Sequence, residues 1–195
     1  MHENELWYSY KMGDVKALEG LYEQYYHPLT NYGYKFTPDR IYIEESMQDL
    51  FLKLWQNRER IAHPAAVKQY LYHAFRRILL GRLELGPSRH DGELAGEHIP
   101  FNVNLNCAHP LLRRERMEAL AAHSTTLLTH LTNRQREAVF LKYYEDLSYE
   151  QVAEIMYMTV AGARQLVYHA LERLRGQFGN FTLLLLLCIL KRTGM

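Results

Sequence analysis

A segment rich in turn-forming residues divides this 195-residue chain into two parts, and it constrains the fold more than any other feature. Residues 86–110 contain three glycines, three prolines and no apolar period, which is typical of a linker. The flanking parts, residues 1–85 and 111–178, carry apolar residues at helical spacing, and neither alternates with period two over a length that would predict a strand. The sequence therefore predicts an all-α protein in which two small helical modules are joined by a flexible linker.

A short apolar tail, residues 179–195, follows the second module. Residues 181–190 are almost all apolar, and Lys191 and Arg192 close the run. A membrane-spanning helix needs roughly 17–25 residues, so we expect no membrane span. We favour a tail helix that packs on the preceding module, and the alternative is a segment that binds a partner or a membrane surface.

Composition narrows the class of protein. Hydrophobic residues make up 48% of the chain, which excludes an intrinsically disordered protein. The two cysteines, Cys107 and Cys188, show no spacing typical of a disulfide framework, so a reducing compartment is expected. The acidic start is not followed by the apolar run of a signal peptide, and the expected location is the cytoplasm.

The net charge of +1 conceals two helices of opposite charge in the first module. Residues 40–55 place an apolar stripe on one face, and the other face is predicted to carry Glu44, Glu45, Gln48 and Asp49. The helix predicted after Pro64 has its apolar face at positions 70, 71, 74, 75, 78 and 79. Its other face, basic with interleaved aromatics, is predicted to present Lys68, Tyr72, His73, Arg76 and Arg77.

Two capping boxes mark the helices of the second module. Thr132 and Gln135 form the first, and Ser148 and Gln151 form the second; in each box the two side chains satisfy free backbone amides reciprocally. Thr159 can cap a third helix only a few residues after the second one ends. Two capped helices separated by so short a turn are typical of a helix-turn-helix.

The third helix of this module would enter the DNA major groove, which admits one helix. Its exposed side is predicted to carry Ala161, Gly162, Arg164, Gln165, Tyr168, His169 and Arg173. Arg164 and Gln165 suit bidentate contacts with guanine or adenine edges, whereas Tyr168, His169 and Arg173 suit phosphates. The alternative is a pair of packed helices whose polar face meets only water.

With these motifs the chain resembles the bacterial RNA polymerase sigma factors of the sigma-70 family, extracytoplasmic-function (ECF) group. Residues 21–29 (LYEQYYHPL) look like the opening helix of sigma region 2, and residues 44–55 (EESMQDLFLKLW) are similar to the polymerase-binding helix. Residues 69–77 (QYLYHAFRR) resemble the strand-opening helix. Residues 131–175 resemble region 4, and the linker stands in place of region 3.

The resemblance implies a dissociable promoter-specificity subunit with no catalytic residue, cofactor or metal site. It assigns binding of core RNA polymerase to Glu44, Glu45, Gln48, Asp49 and Lys53. It assigns capture of the unwound −10 strand to Lys68, Tyr72, His73, Arg76, Arg77 and Arg82, and reading of the −35 duplex to the exposed side of the helix-turn-helix. Tyr72 beside Arg76 and Arg77 would supply a stacking ring and a cationic track. The implied partners are core RNA polymerase and promoter DNA, and an anti-sigma factor is a further partner that the resemblance leaves open.

Four residues depart from the family pattern. Arg77 stands where Asn is common, Gly81 where an acidic residue is frequent, and Leu166 where a polar residue is usual. Tyr157 holds the helix-turn-helix position that is usually Gly. Because a bulky residue at positive φ is costly, we expect either an altered turn or a Tyr157 that avoids the left-handed conformation.

Two other classes of function compete with this one. A one-component regulator would bind duplex DNA through the helix-turn-helix without acting as a polymerase subunit, and it would not need the motif of the first module. An enzyme is disfavoured, because the ten histidines show no HxxxH spacing and the two cysteines no CxxC spacing, the patterns typical of metal ligands. The sequence also contains no Gly-rich phosphate loop and no nucleophile motif.

Overall fold

The computed structural model describes residues 3–61, 66–84, 99–102 and 130–193, with side chains described as far as residue 176. Every regular element in this part of the chain is a helix, which confirms the all-α prediction. The chain divides into two compact units, Met1–Ile99 and Pro100–Met195. The elements are α1 (Glu3–Lys11), α2 (Val15–Gly33), α3 (Arg40–Asn57), α4 (Val67–Glu84), α5 (Asn133–Val139), a π-helical turn (Phe140–Tyr144), α6 (Tyr149–Ile155) and α7 (Val160–Thr193).

Aromatic residues of α1 lie in the core of the first unit. Trp7 and Tyr10 have no exposed surface, and the Tyr10 hydroxyl donates a hydrogen bond to the Leu54 carbonyl oxygen, 2.5 Å away. Burying a ring of this size removes on the order of 150–250 Å² from water. Helix α1 therefore contributes much of the core and is linked directly to the end of α3.

Aspartates cap the next two helices. Asp14 accepts a hydrogen bond from the Lys16 amide at 2.9 Å, and Asp39 accepts one from the Ile41 amide at 2.8 Å. Each carboxylate satisfies an amide that the first turn of the helix leaves free. Helix α3 buries the apolar stripe that the sequence predicts, which comprises Ile43, Met47, Leu50, Phe51 and Leu54.

Helix α4 buries a different face from the predicted one. Its buried residues are Val67, Leu71, Tyr72, Phe75, Arg76, Leu79 and Leu80. The buried face is thus rotated by about one residue, roughly 100°, because α4 packs against α1, α2 and α3 rather than against a single neighbour. The prediction that Tyr72 and Arg76 lie on the exposed face is wrong, since the two residues are 0% and 3% exposed.

Both predicted capping boxes are present in the second unit. The Thr132 hydroxyl accepts from the Gln135 amide while the Gln135 side chain accepts from the Thr132 amide. Ser148 and Gln151 make the same reciprocal pair of hydrogen bonds. These pairs fix the first residues of α5 and α6.

A π-helical turn, which the sequence did not predict, follows α5. The Glu145 amide donates to the Phe140 carbonyl oxygen five residues earlier, at 3.1 Å. The Phe140 ring stacks on Tyr144, 4.6 Å between centroids, and meets Phe101 at 5.8 Å. Phe101 comes from the predicted linker, yet it is buried in the core of the second unit. Residues 86–98 and 103–110 of that linker lie outside the described residues.

Helix α7 runs without a break from the helix-turn-helix into the predicted tail. The tail side chains lie outside the described residues, so their packing on the second unit stays a prediction. None of the helices in the described part of the chain combines the length and the apolar character that crossing a membrane requires.

Candidate functional site

The five side chains predicted to bind polymerase share the solvent side of α3. Glu45, Gln48 and Lys53 are exposed, and Glu44 and Asp49 are half-exposed. The opposite side of the helix is the buried apolar stripe. The packing of α3 therefore directs all five side chains away from the core.

Arginines of the chain itself pair with all three carboxylates of this set. Arg40 Nε donates to Glu44 Oε1 at 2.6 Å, one turn away on α3. Arg82 reaches across from α4 with its two terminal nitrogens: Nη1 lies 2.6 Å from Glu45 Oε2, and Nη2 lies 2.5 Å from Asp49 Oδ2. The hydrogen bond to Glu44 and the charge of that carboxylate raise the pKa of Arg40. The predicted acidic surface is thus largely compensated within the chain.

Only some of the residues predicted to form the −10 surface of α4 are accessible to solvent. Arg77 is exposed, and Lys68, His73 and Arg82 are half-exposed. Tyr72 instead packs its ring 5.3 Å from that of Tyr32, centroid to centroid. Since Tyr72 has no exposed surface, it cannot stack on an unpaired base, and the burial of Arg76 keeps its guanidinium from a phosphate in the same way.

Helices α6 and α7 form the predicted helix-turn-helix, joined by four residues. The Thr159 hydroxyl accepts from the Gly162 amide at 3.0 Å, which confirms the predicted cap of α7. Ala153 of α6 and Ala163 of α7 are both buried. Small side chains at these two positions leave room for close packing within this unit.

Tyr157 adopts the left-handed conformation in the turn, with a φ of 53°, so the expectation that the turn is altered or that Tyr157 avoids this conformation is wrong. The Met158 amide donates to the Ala153 carbonyl oxygen at 2.9 Å, and the Tyr157 amide donates to the Glu154 carbonyl oxygen at 3.3 Å. These hydrogen bonds close the end of α6 much as a Schellman motif does. They offset the cost of a left-handed residue that is not glycine.

The seven residues predicted to contact −35 DNA lie on the solvent side of α7. Gly162 is half-exposed and the other six are exposed, while Ala163, Val167, Ala170 and Leu174 form the buried side. The Tyr168 and His169 rings meet edge to face, 5.6 Å between centroids. The packing of α7 therefore keeps these seven residues accessible to solvent.

Two residues of α6 hold Arg164 at the centre of this face. Arg164 Nη2 lies 3.2 Å from Glu150 Oε1, and its guanidinium carbon lies 5.7 Å from the centre of the Tyr149 ring. Lys142 Nζ lies 4.9 Å from the same ring. The pKa of the Glu150 carboxyl is lowered by its own backbone amide, by the Ser148 hydroxyl and by Arg164.

Several of these contacts were not predicted from the sequence. The Arg40–Glu44 pair has the i, i+4 spacing that would have revealed it. Tyr149 and Glu150 fall within a capping box, where the pattern indicates only the start of a helix. Arg82 is 37 and 33 residues away from Glu45 and Asp49, so no local spacing could have indicated that contact.

Comparison with known proteins gives one family match in each unit. The family model described as "Sigma-70 region 2" matches residues 21–83, and the one described as "Sigma-70, region 4" matches residues 125–174. A sequence search of curated proteins finds no match. The solved structure of CnrH in complex with the cytosolic domain of CnrY is similar in fold, with a TM-score of 0.60 and 14% sequence identity. The similarity covers 90% of this chain and 96% of that one.

Proposed function

The chain belongs to the sigma-70 family of RNA polymerase sigma factors, and on that basis we propose which of its surfaces carry out each part of the role. As a sigma factor, it binds core RNA polymerase and directs promoter recognition and transcription initiation. Region 2 is followed by region 4 with no match between them, which is the order expected for the ECF group.

Helix α3 is the proposed contact with core polymerase, through Glu44, Glu45, Gln48, Asp49 and Lys53. Two observations support this assignment: the five side chains share the solvent side of one helix, and that helix lies within the region 2 match. Carboxylates on a rigid helix offer charge complementarity to a basic partner surface.

Helix α4 is the proposed contact with the unwound −10 strand. Lys68, His73, Arg77 and Arg82 carry this proposal, because cationic and hydrogen-bonding side chains along one helix can contact the phosphates of a single strand. Tyr72 and Arg76 are excluded from it by their burial.

Helix α7 is the proposed reader of the −35 duplex. Arg164 and Gln165 face the base edges, and Ala161 and Gly162 at the start of the helix allow the backbone to approach the groove. Tyr168, His169 and Arg173 lie further along the same face, where phosphate contacts fix the register. The support is the exposure of this face and the firm closure of the turn before it.

The region 2 match across α2, α3 and α4 is the observation that favours a sigma factor over a one-component regulator. A regulator of that kind needs only the helix-turn-helix to bind duplex DNA. Sigma-70 proteins are initiation factors rather than enzymes, and the proposal assigns this chain no catalytic residue, cofactor or metal. By the likeness to CnrH, whose structure contains the cytosolic domain of another protein, an anti-sigma factor is a further proposed partner, and the proposed location is the cytoplasm.

Run-off transcription with purified core polymerase on a genomic fragment library tests the proposal. We expect specific transcripts that require the added chain, and their absence together with binding of duplex DNA in the absence of polymerase would favour the regulator. The charge-reversal variant E45K/D49K should lower the affinity for core polymerase more than about tenfold, since like charges across an interface repel. Unchanged co-purification with core polymerase would contradict the α3 assignment.

The variant E19K/E23K is the matched control for that experiment. Glu19 and Glu23 are exposed acidic residues of α2, so their reversal changes the net charge of the chain by the same amount without touching α3. Because E45K/D49K places two lysines beside Arg82, thermal melting of each variant must show that the first unit remains folded.

A further inference from the structure

Arg82 belongs to two proposed surfaces at once. Its side chain is on the DNA-facing helix α4, yet its two terminal nitrogens are hydrogen-bonded to Glu45 and Asp49 of the polymerase-facing helix α3, at 2.6 and 2.5 Å. Its third nitrogen, Nε, is shielded from solvent and has no hydrogen-bond partner within the described residues. While both carboxylates hold the guanidinium, each terminal nitrogen already donates to one of them, and their negative charges repel a phosphate.

The geometry of this bridge differs from that of an ordinary surface ion pair. The Arg82 side chain is 29% exposed, whereas Arg40, in its pair with Glu44 on the same helix, is 72% exposed. An arginine that bonds two carboxylates of another helix is restricted to few rotamers. Its partial burial also reduces the screening of the ion pairs by water and salt. The arginine of the bridge is thus more shielded than Arg40, whereas Glu45 and Asp49 stay accessible to a partner at 50% and 37% exposure.

The carboxylates of Glu45 and Asp49 cannot bind Arg82 and a basic surface of polymerase at the same time. A basic surface of polymerase that approaches Glu45 and Asp49 must compete with Arg82 for the carboxylate oxygens. When it succeeds, the guanidinium of Arg82 is released from α3 and stays on α4, the helix proposed to face the DNA. Binding at α3 and binding at α4 are therefore linked through one side chain, and such linkage is reciprocal.

We infer that Arg82 masks the polymerase-binding carboxylates in the free chain and becomes a DNA contact only when polymerase displaces it. This inference rests on the proposed roles of α3 and α4. It predicts that the bridge weakens both interactions: the free chain binds core polymerase less tightly than its carboxylates alone would allow, and it binds single-stranded DNA less tightly than its cations alone would allow.

The variant R82Q tests the first effect, with the dissociation constant for core polymerase measured in the absence of DNA. Loss of the mask should tighten binding by about three- to tenfold, the range expected for removing a competing, partly exposed ion-pair network. The control R60Q removes the same charge from an exposed position beyond the end of α3 and should change the constant much less. Unchanged or weaker affinity in R82Q overturns the inference, because that result is expected if Arg82 only stabilises the packing of α3 and α4 or orients the two carboxylates.

The variant E45Q/D49N tests the second effect without polymerase. Release of Arg82 should tighten binding of the full-length chain to a fluorescein-labelled oligothymidine by about threefold or more, and should steepen its salt dependence by about one phosphate contact. The control E19Q/E23Q removes the same two negative charges from α2. The triple variant E45Q/D49N/R82Q must lose the gain, since only Arg82 is freed by the double change; a gain that persists in the triple variant overturns the inference.

Two further measurements separate the outcomes. R82K retains the charge but cannot make the same two-pronged contact with both carboxylates. Its dissociation constant for core polymerase should therefore lie between those of the wild type and R82Q. This intermediate variant also controls for a folding defect in R82Q. Thermal melting of all variants checks the first unit directly. If the wild-type chain does not bind core polymerase, the proposed function itself fails; if the wild type binds and R82Q binds no more tightly, only the mask fails.

Discussion

Arg164 and Glu150 form an ion pair between the two helices of the helix-turn-helix, with 3.2 Å between Nη2 and Oε1. Both side chains are more than half exposed, so the pair contributes little to stability. Its consequence is positional, because the arginine at the centre of the α7 face is directed by α6 and by the Tyr149 ring before DNA arrives. Removal of either partner should therefore change recognition more than folding.

Replacing Arg164 with alanine should reduce binding at one −35 position by about 1–3 kcal/mol and relax the base preference there. The physical reason is the loss of a bidentate contact with a base edge. Holoenzyme binding to a library with a randomised −35 element measures the effect. The control is R175A, which removes an arginine paired with Glu172 further along α7 and should leave the base preference intact. A preference untouched by R164A would refute the recognition-helix assignment.

The Glu150 carboxyl should titrate below the usual glutamate range. Its pKa is lowered first by its own backbone amide, next by the Ser148 hydroxyl and only then by Arg164. Because the folded pKa is depressed, the favourable contribution is complete above the ordinary glutamate pKa and is lost as the pH falls through the lower, folded value. Carboxyl-detected NMR of the wild type and of R164Q gives the measurement, and we expect the pKa to remain depressed in R164Q. A return to the ordinary value in that variant would make Arg164 the main cause instead.

Tyr72 and Arg77 should respond to substitution in opposite ways, although both lie on α4. Y72A should destabilise the first unit by about 3–5 kcal/mol, the cost of removing a buried aromatic side chain. R77A should change stability by less than about 0.5 kcal/mol but weaken binding of single-stranded DNA by the holoenzyme. Both tryptophans, Trp7 and Trp55, lie in the first unit, so denaturation followed by tryptophan fluorescence reports on that unit alone.

The reverse pattern would show that α4 is rotated in solution toward the predicted face. A stable Y72A variant that binds DNA poorly would show that Tyr72 contacts the DNA. Y72F is a useful companion, because it keeps the ring that packs on Tyr32 and isolates any effect of the hydroxyl.

Replacing Tyr157 with glycine should stabilise the helix-turn-helix by about 0.5–1 kcal/mol. A left-handed φ costs a non-glycine residue roughly 1–2 kcal/mol, and part of that gain is lost to the larger conformational entropy of glycine in the unfolded chain. Amide hydrogen exchange of α6 and the start of α7 measures the change within the second unit. Y157A is the matched control, because it removes the exposed ring but keeps the strained backbone. Equal protection in the two variants would mean that the ring, not the backbone, decides the stability of the turn.

Local patterns predicted much of this molecule because their physics is local. The capping boxes at Thr132 and Ser148 depend on side chains and amides three residues apart, and both formed as predicted. The buried stripe of α3 was also predicted correctly, because the sequence separates its apolar and polar residues clearly. For the same reason the sequence also predicted the exposed face of α7 correctly.

The apolar pattern alone did not identify the buried face of α4. Tyr72 and Arg76 both carry polar atoms that a sequence pattern assigns to the surface, but α4 packs against three other helices and buries more than one stripe. The pattern of polar and apolar residues therefore placed the face about one residue away from its true position. The difference matters for function, because the burial of Tyr72 removes the only tyrosine from the predicted −10 residues of α4.

The sequence by itself determined that the chain forms two helical units, that the second is a helix-turn-helix with a basic face, and that acidic side chains share one side of α3. Those properties depend on spacings within single helices or turns. Only the tertiary structure decided which charges are available, because Arg82 meets Glu45 and Asp49 across 37 and 33 residues of sequence. The net charge of +1 does not reveal this contact, because Arg82 and the two carboxylates count toward the total whether or not they meet, and packing between α3 and α4 decides that they do.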